Sequence, residues 1–178
     1  GSRWNGVTME TTERVVEAYV RYIKNWATIP NIRCEGQFEI DLLAIDPLTT
    51  KRYHIESGVS VSGSHSRLTS KPFSPDDLKV RVKQSGQRRT LEYFVQRKFG
   101  HSNVIETLRK FGFHDGKYTK VIVSWGWEPS VPALAKEQGI ELWDFRDVLH
   151  TISKSFQDNR TYFTDDTLRT LHLFAHAE

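Results

Sequence analysis

The chain has 178 residues, with 25 Lys or Arg against 22 Asp or Glu and a net charge of +3. That length supports one domain with a core of its own, and a single cysteine, Cys34, excludes an intramolecular disulfide. No apolar run approaches the roughly 18 residues of a membrane span, and no signal-peptide-like apolar stretch opens the chain, so a reducing, cytoplasmic setting is expected. Gly1-Ser2 reads as a leftover of cloning, with Met9 as the natural start. Residues 1–8 are therefore set aside as a lead. Residues 9–156 are expected to form the domain, and 157–178 a helical extension packed on it.

In chain order, the first predicted element is a helix over 12–26. Val15, Val16, Tyr19, Val20, Tyr22, Ile23 and Trp26 recur at helical spacing on one face, and Pro30 lies just beyond its end. Two strands follow. Over 37–45, Phe38, Ile40, Leu42 and Ala44 alternate with Gln37, Glu39 and Asp41. Asp46-Pro47 opens a turn. Over 52–62, Tyr53, Ile55, Val59 and Val61 share one face, and His54, Glu56, Gly58, Ser60 and Ser62 the other. Paired as a hairpin, these strands put Asp41 and Glu56 on the same polar side.

Ser74-Pro75-Asp76-Asp77 has the chemistry of a helix start. A basic helical region then runs to a further helix over 102–110. Strand 120–125, helix 132–138, strand 140–143 and helix 145–153 follow, and a last helix is expected over 164–176. The order predicts an α/β fold with a mixed central sheet flanked by helices.

Charge is unevenly placed. Between Lys79 and Lys110 lie Lys79, Arg81, Lys83, Arg88, Arg89, Arg97, Lys98, Arg109 and Lys110 against only Glu92 and Glu106. One basic segment on an acidic remainder fits a polyanion such as DNA, with the basic side chains from Lys79 to Lys98 as phosphate contacts; it fits a solvated helix face equally well.

The chemistry sits in Glu39-Ile40-Asp41-Leu42-Leu43-Ala44 followed by His54-Ile55-Glu56-Ser57-Gly58. Two carboxylates on neighbouring strands can share one hard divalent cation, which polarises a phosphate and lowers the pKa of an attacking water. This pattern resembles the PD-(D/E)XK nuclease superfamily, above all its Mrr-like and Holliday-resolvase-like branches. The resemblance runs from about Thr12 to Ile152. It implies a restriction-endonuclease-like core and a DNA-binding endonuclease that hydrolyses phosphodiester bonds with Mg²⁺ or Mn²⁺. In that frame Asp41 and Glu56 are metal ligands, Glu13 on the first helix is a third, and a homodimer is possible.

The family's lysine is absent: Gly58 stands at its position. The resemblance therefore leaves two readings, a nuclease whose lysine has migrated, with Lys71, Lys79 and Lys83 available, or an inactive nuclease-fold module that binds DNA or protein. A lysine placed at 58 is expected to project beside Glu56. His54, on the site face, reads as a satisfied structural histidine before a base or a pairing residue, Cys34 as a small buried residue, and Trp125 and Trp127 as core before base-stacking side chains.

Overall fold

The computed structural model describes residues 11–59, 67–74 and 87–158. Its centre is one five-stranded sheet in the order β1-β2-β3-β4-β5. These strands are β1 (Ala27–Arg33), β2 (Glu39–Ile45), β3 (Arg52–Ser57), β4 (Thr119–Ser124) and β5 (Ile140–Asp144). β1, β2 and β3 pair antiparallel, while β3, β4 and β5 pair parallel. The expected α/β architecture with a mixed sheet is what the chain forms.

Helices cover both faces. α1 (Thr11–Ala18) continues into a π-helical segment, Tyr19–Ile23, and packs with α5 (Phe145–Asp158) on one face. Val15, Val16, Val148 and Ile152 there meet Leu42, Ala44, Ile55, Val121 and Val123. The other face carries α2 (Leu91–Tyr93), which widens into a π-helical segment over Phe94–Phe99, with α3 (Ser102–Lys110) and α4 (Val131–Glu137). Leu91, Phe94, Phe99, Val131 and Ala135 cover Ile122 and Ile140, and Val104 and Leu108 cover Ile40 and Leu43.

Four expectations need correction. β1 fills the stretch read as a simple exit from the first helix. Its side chains are mostly exposed, so it shows no clean alternation, and Pro30 is tolerated because an edge strand can spare an N–H. Helix one ends earlier than Trp26: the Trp26 N–H bonds back to Val20 O, and Asn25 takes φ 58°. β2 starts at Glu39, after a tight turn over Glu35–Gln37 in which Gly36 and Gln37 both have positive φ. The second strand also stops short of its expected end, at Ser57. The proposed helix start at Pro75, the remainder of that strand from Ser60, and the helix over 164–176 lie outside the described residues.

β2 also changes phase at Asp41. Leu42 and Ala44 face α1 and α5, but Ile40, two residues earlier, packs with Leu43 against α3. The even positions of this strand therefore do not form one face. At the same point the regular β2–β3 pairing ends at Leu42 and Ile55, and side-chain hydrogen bonds take over.

Candidate active site

The β2–β3 register pairs Leu42 with Ile55, Leu43 with His54 and Ala44 with Tyr53. One step further along the same register, Asp41 stands opposite Glu56. There the two strands hold each other through carboxylates. The Asp41 N–H donates to Glu56 Oε2 at 2.8 Å, and the Ser57 N–H donates to Asp41 Oδ2 at 2.9 Å. Each carboxylate thus binds the backbone of the opposite strand, which fixes both side chains on rigid elements.

Burial at this spot is deep. Asp41 is 9% exposed and Glu56 fully buried. Desolvation, which disfavours the charged form, pushes the pKa of both carboxyls up, and the neighbouring Glu56 charge adds to the rise at Asp41. The Lys98 ammonium opposes it at both.

Lys98 is the residue that sequence reasoning placed on the DNA surface. Here it belongs to the π-helical segment after α2 and turns inward. Burial works against its charge, but the nearby carboxylates of Glu56, Asp41 and Glu39 outweigh that, and its pKa is raised. A lysine delivered from a helix on the sheet's face thus acts on the carboxylate pair through its charge. The one available signal was its place between Phe94 and Phe99, two large apolar residues that bury that helix.

The surroundings of Gly58 are crowded. Its N–H bonds to Val123 O at 2.8 Å, and a Cβ built at this position lies 3.1 Å from Phe94 Cζ. Phe94, 2% exposed, fills the space that a side chain at 58 would enter. The expectation that a lysine there would project freely beside Glu56 is therefore corrected.

Other sequence candidates fall in different places. α1 docks on the end of β3, where Thr12 Oγ1 donates to Val59 O at 2.8 Å, and the Glu13 charge reaches Glu56 and raises its pKa. Arg97 lies over the Phe38 ring at 4.5 Å, and that ring stacks on His101 at 3.8 Å. Arg88 is exposed and Arg89 partly so. Arg109 pairs with Asp115 at 3.2 Å. Lys79, Arg81 and Lys83 lie outside the described residues, whereas Lys71 lies within them and is exposed. Cys34 is half-buried against the α3 side. His54 is fully buried, yet neither ring nitrogen has a hydrogen-bond partner among the described residues, so the reading of a hydrogen-bonded structural histidine fails.

The donor set suits a hard divalent cation. Asp41 and Glu56 offer oxygen only, and Glu56 Oε1 is buried without a partner among the described residues. No three His, Cys, Asp or Glu side chains among the described residues gather as a metal cluster. Mg²⁺ takes one or two carboxylates and fills its octahedron with waters and phosphate oxygens, so Asp41 and Glu56 are the residues that would hold it.

No family model matches the sequence, and no curated protein matches it. Among solved structures, an EndoMS–dsDNA2 complex is similar at a TM-score of 0.36 and 11% identity, over 80% of this chain and 47% of that one. This chain spans less than half the length of that neighbour, and an overlap this loose carries no functional argument. No helix among the described residues is long and apolar enough to cross a membrane.

Proposed function

We propose that this domain is a DNA-directed, divalent-metal-dependent phosphodiesterase of the endonuclease type, built on a restriction-endonuclease-like core. The observation that carries the reading is the pair of buried acids Asp41 and Glu56, each tied to the opposite strand, with the Lys98 charge favouring their ionised forms. Buried charges cost stability unless they are well paired and hydrogen-bonded, and perturbed groups of this kind cluster at functional sites.

Asp41 and Glu56 would hold Mg²⁺ or Mn²⁺. Once bound, the cation would polarise the scissile phosphate and favour ionisation of a water. The chain's own residues do the rest. Asp41 and Glu56 keep their orientation because each is tied to the opposite strand. Lys98 holds a positive charge beside them, where a phosphorane gathers negative charge. Gly58 leaves room for Phe94, which packs the helical segment that brings Lys98 in. Arg97, over Phe38, and the exposed Arg88 are placed to contact phosphates, contacts that orient DNA without reading its sequence.

The test is cleavage of linear, branched and supercoiled DNA with Mg²⁺ or Mn²⁺. Wild type should cut, Asp41→Ala should abolish cutting, and Lys98→Met should lower the rate by about 10²–10³-fold, the scale of one lost transition-state donor. If wild type binds DNA and metal but never cuts, the domain is an inactive binding module. A Lys98→Met variant as fast as wild type removes Lys98 from the chemistry.

A further inference from the structure

We propose that His54 is a positioning residue for Glu56: the Nε2–H of its imidazole supplies the hydrogen bond that Glu56 Oε1 lacks, and so sets the carboxylate's orientation for a divalent cation. This inference rests on the metal reading above.

Glu56 is tethered on one side only. Its Oε2 accepts the Asp41 N–H, while Oε1 has no partner among the described residues. His54 lies two residues earlier on β3, so both side chains leave the strand on the same face. His54 Nε2 stands 3.7 Å from Glu56 Oε1, and both side chains are completely buried. Three orphaned polar atoms therefore sit side by side: the two imidazole nitrogens and the carboxylate oxygen. Each orphan costs stability, and an aliphatic residue opposite Leu43 would avoid two of them. A sheet position this buried holds an imidazole at a cost, and the atom it can serve is Glu56 Oε1.

The ring has little freedom to go elsewhere. Phe99 meets it edge-on at 4.9 Å and 83°, and Tyr118 lies 6.3 Å away. Phe99 follows Lys98 directly, so the segment that delivers the ammonium also braces the imidazole. A small rotation closes the gap from 3.7 Å to an ordinary hydrogen bond of about 2.9 Å. A bound cation would keep Glu56 ionised. The bond then becomes charge-assisted, which shortens and strengthens it. Hydrogen bonds of this kind to ligating carboxylates govern metal affinity, and their loss typically weakens it by about 10–100-fold.

The test compares two near-isosteres that differ in one donor, His54→Gln and His54→Met, in the full chain. The probe is Mn²⁺ alone, with free ion counted by electron paramagnetic resonance. His54→Met should bind Mn²⁺ about 10–100-fold more weakly than wild type, and His54→Gln should recover most of that loss. Equal affinity for wild type and His54→Met overturns the proposal, as does a His54→Gln variant no tighter than His54→Met. A second measurement uses wild type only. Nitrogen-15 spectra of the imidazole should show the Nε2–H tautomer, with its proton shifting when a diamagnetic ion, Mg²⁺, is added. An Nδ1–H tautomer overturns the proposal even if the variants fail to fold. If wild type binds no Mn²⁺, the metal reading falls and this inference with it. If wild type binds and only the His54 comparison fails, the metal reading stands alone.

Discussion

Position 58 shows how a single atom decides which residue can do chemistry. A β-carbon at Gly58 meets Phe94 Cζ at 3.1 Å, and Phe94 cannot easily give way because it is 2% exposed and wedged against Tyr93 and Phe99. Gly58→Ala should therefore destabilise the fold, by about 1 kcal/mol at the low end of overpacking, read as a shift in the urea midpoint. Gly58→Lys should not raise cleavage. Its ammonium has to pass Phe94 to reach Glu56. In a Lys98→Met background, pairing Gly58→Lys with Phe94→Ala should recover part of the lost rate, because the second change opens the path. Recovery by Gly58→Lys without Phe94→Ala would show that the ring does not block that route.

At the scale of elements, the site depends on where the helical segment Phe94–Phe99 sits. Thr90 opens it: the Thr90 Oγ1 accepts the Tyr93 N–H at 3.1 Å, and Thr90 is 1% exposed. The backbone around it is tied to the 67–74 stretch, since Thr69 N–H donates to Arg89 O and Leu91 N–H to Thr69 O, each at 2.8 Å. Thr90→Ala removes the cap and should cost about 1 kcal/mol. Because this cap sits at the root of the segment, cleavage should fall too, and Mn²⁺ affinity should fall by less, since the segment reaches Glu56 through Phe99 and His54 while β2 and β3 hold the carboxylates directly. A drop in Mn²⁺ affinity equal to the drop in rate would mean that the segment holds the carboxylates as well as Lys98. The π-helical widening belongs to the same argument, since such turns often occur where a helix must present a side chain at a functional site.

For the whole molecule, the buried acids make stability depend on pH and on metal. Asp41 and Glu56 have raised pKa values in the folded state, so they bind protons more tightly there than in the unfolded chain. Their contribution is complete below the ordinary carboxylate value of about 4 and is lost as pH rises through the folded values. His54 acts in the opposite sense: burial holds its pKa down to about 3, so its contribution is present above about 6.5 and is lost as pH falls. Without metal, the melting temperature should decline from weakly acidic toward alkaline pH. Mg²⁺ or Mn²⁺ should raise it more at pH 8 than at pH 6, because ligation needs the ionised carboxylates. Asp41→Asn should flatten the alkaline decline and remove the metal response together. A metal effect that survives Asp41→Asn would place the ion elsewhere. DNA binding belongs to this scale as well. Its log affinity should fall with log salt by roughly 0.9 per phosphate neutralised, and Arg88→Ala with Arg89→Ala should flatten that slope.

The sequence by itself determined the mixed α/β order, most strand positions and the facing pair Asp41 and Glu56. Those features follow from local rules, namely the period of apolar residues and the alternation that puts His54 and Glu56 on one side of β3. Edge strand β1 escaped because its residues are exposed and carry a proline, which removes the apolar signal that marks a buried strand. The change of face between Ile40 and Leu42 escaped too, since it shows only in which helices each packs against. Only the tertiary structure decided what stands opposite the acids. Lys98 reads in sequence as one more cation of a basic segment, because helix-face charge looks the same whether it meets water or a carboxylate. Packing makes the difference: Phe94 and Phe99 bury their segment against the sheet, Gly58 makes the space, and from that segment the Lys98 charge acts on Asp41 and Glu56.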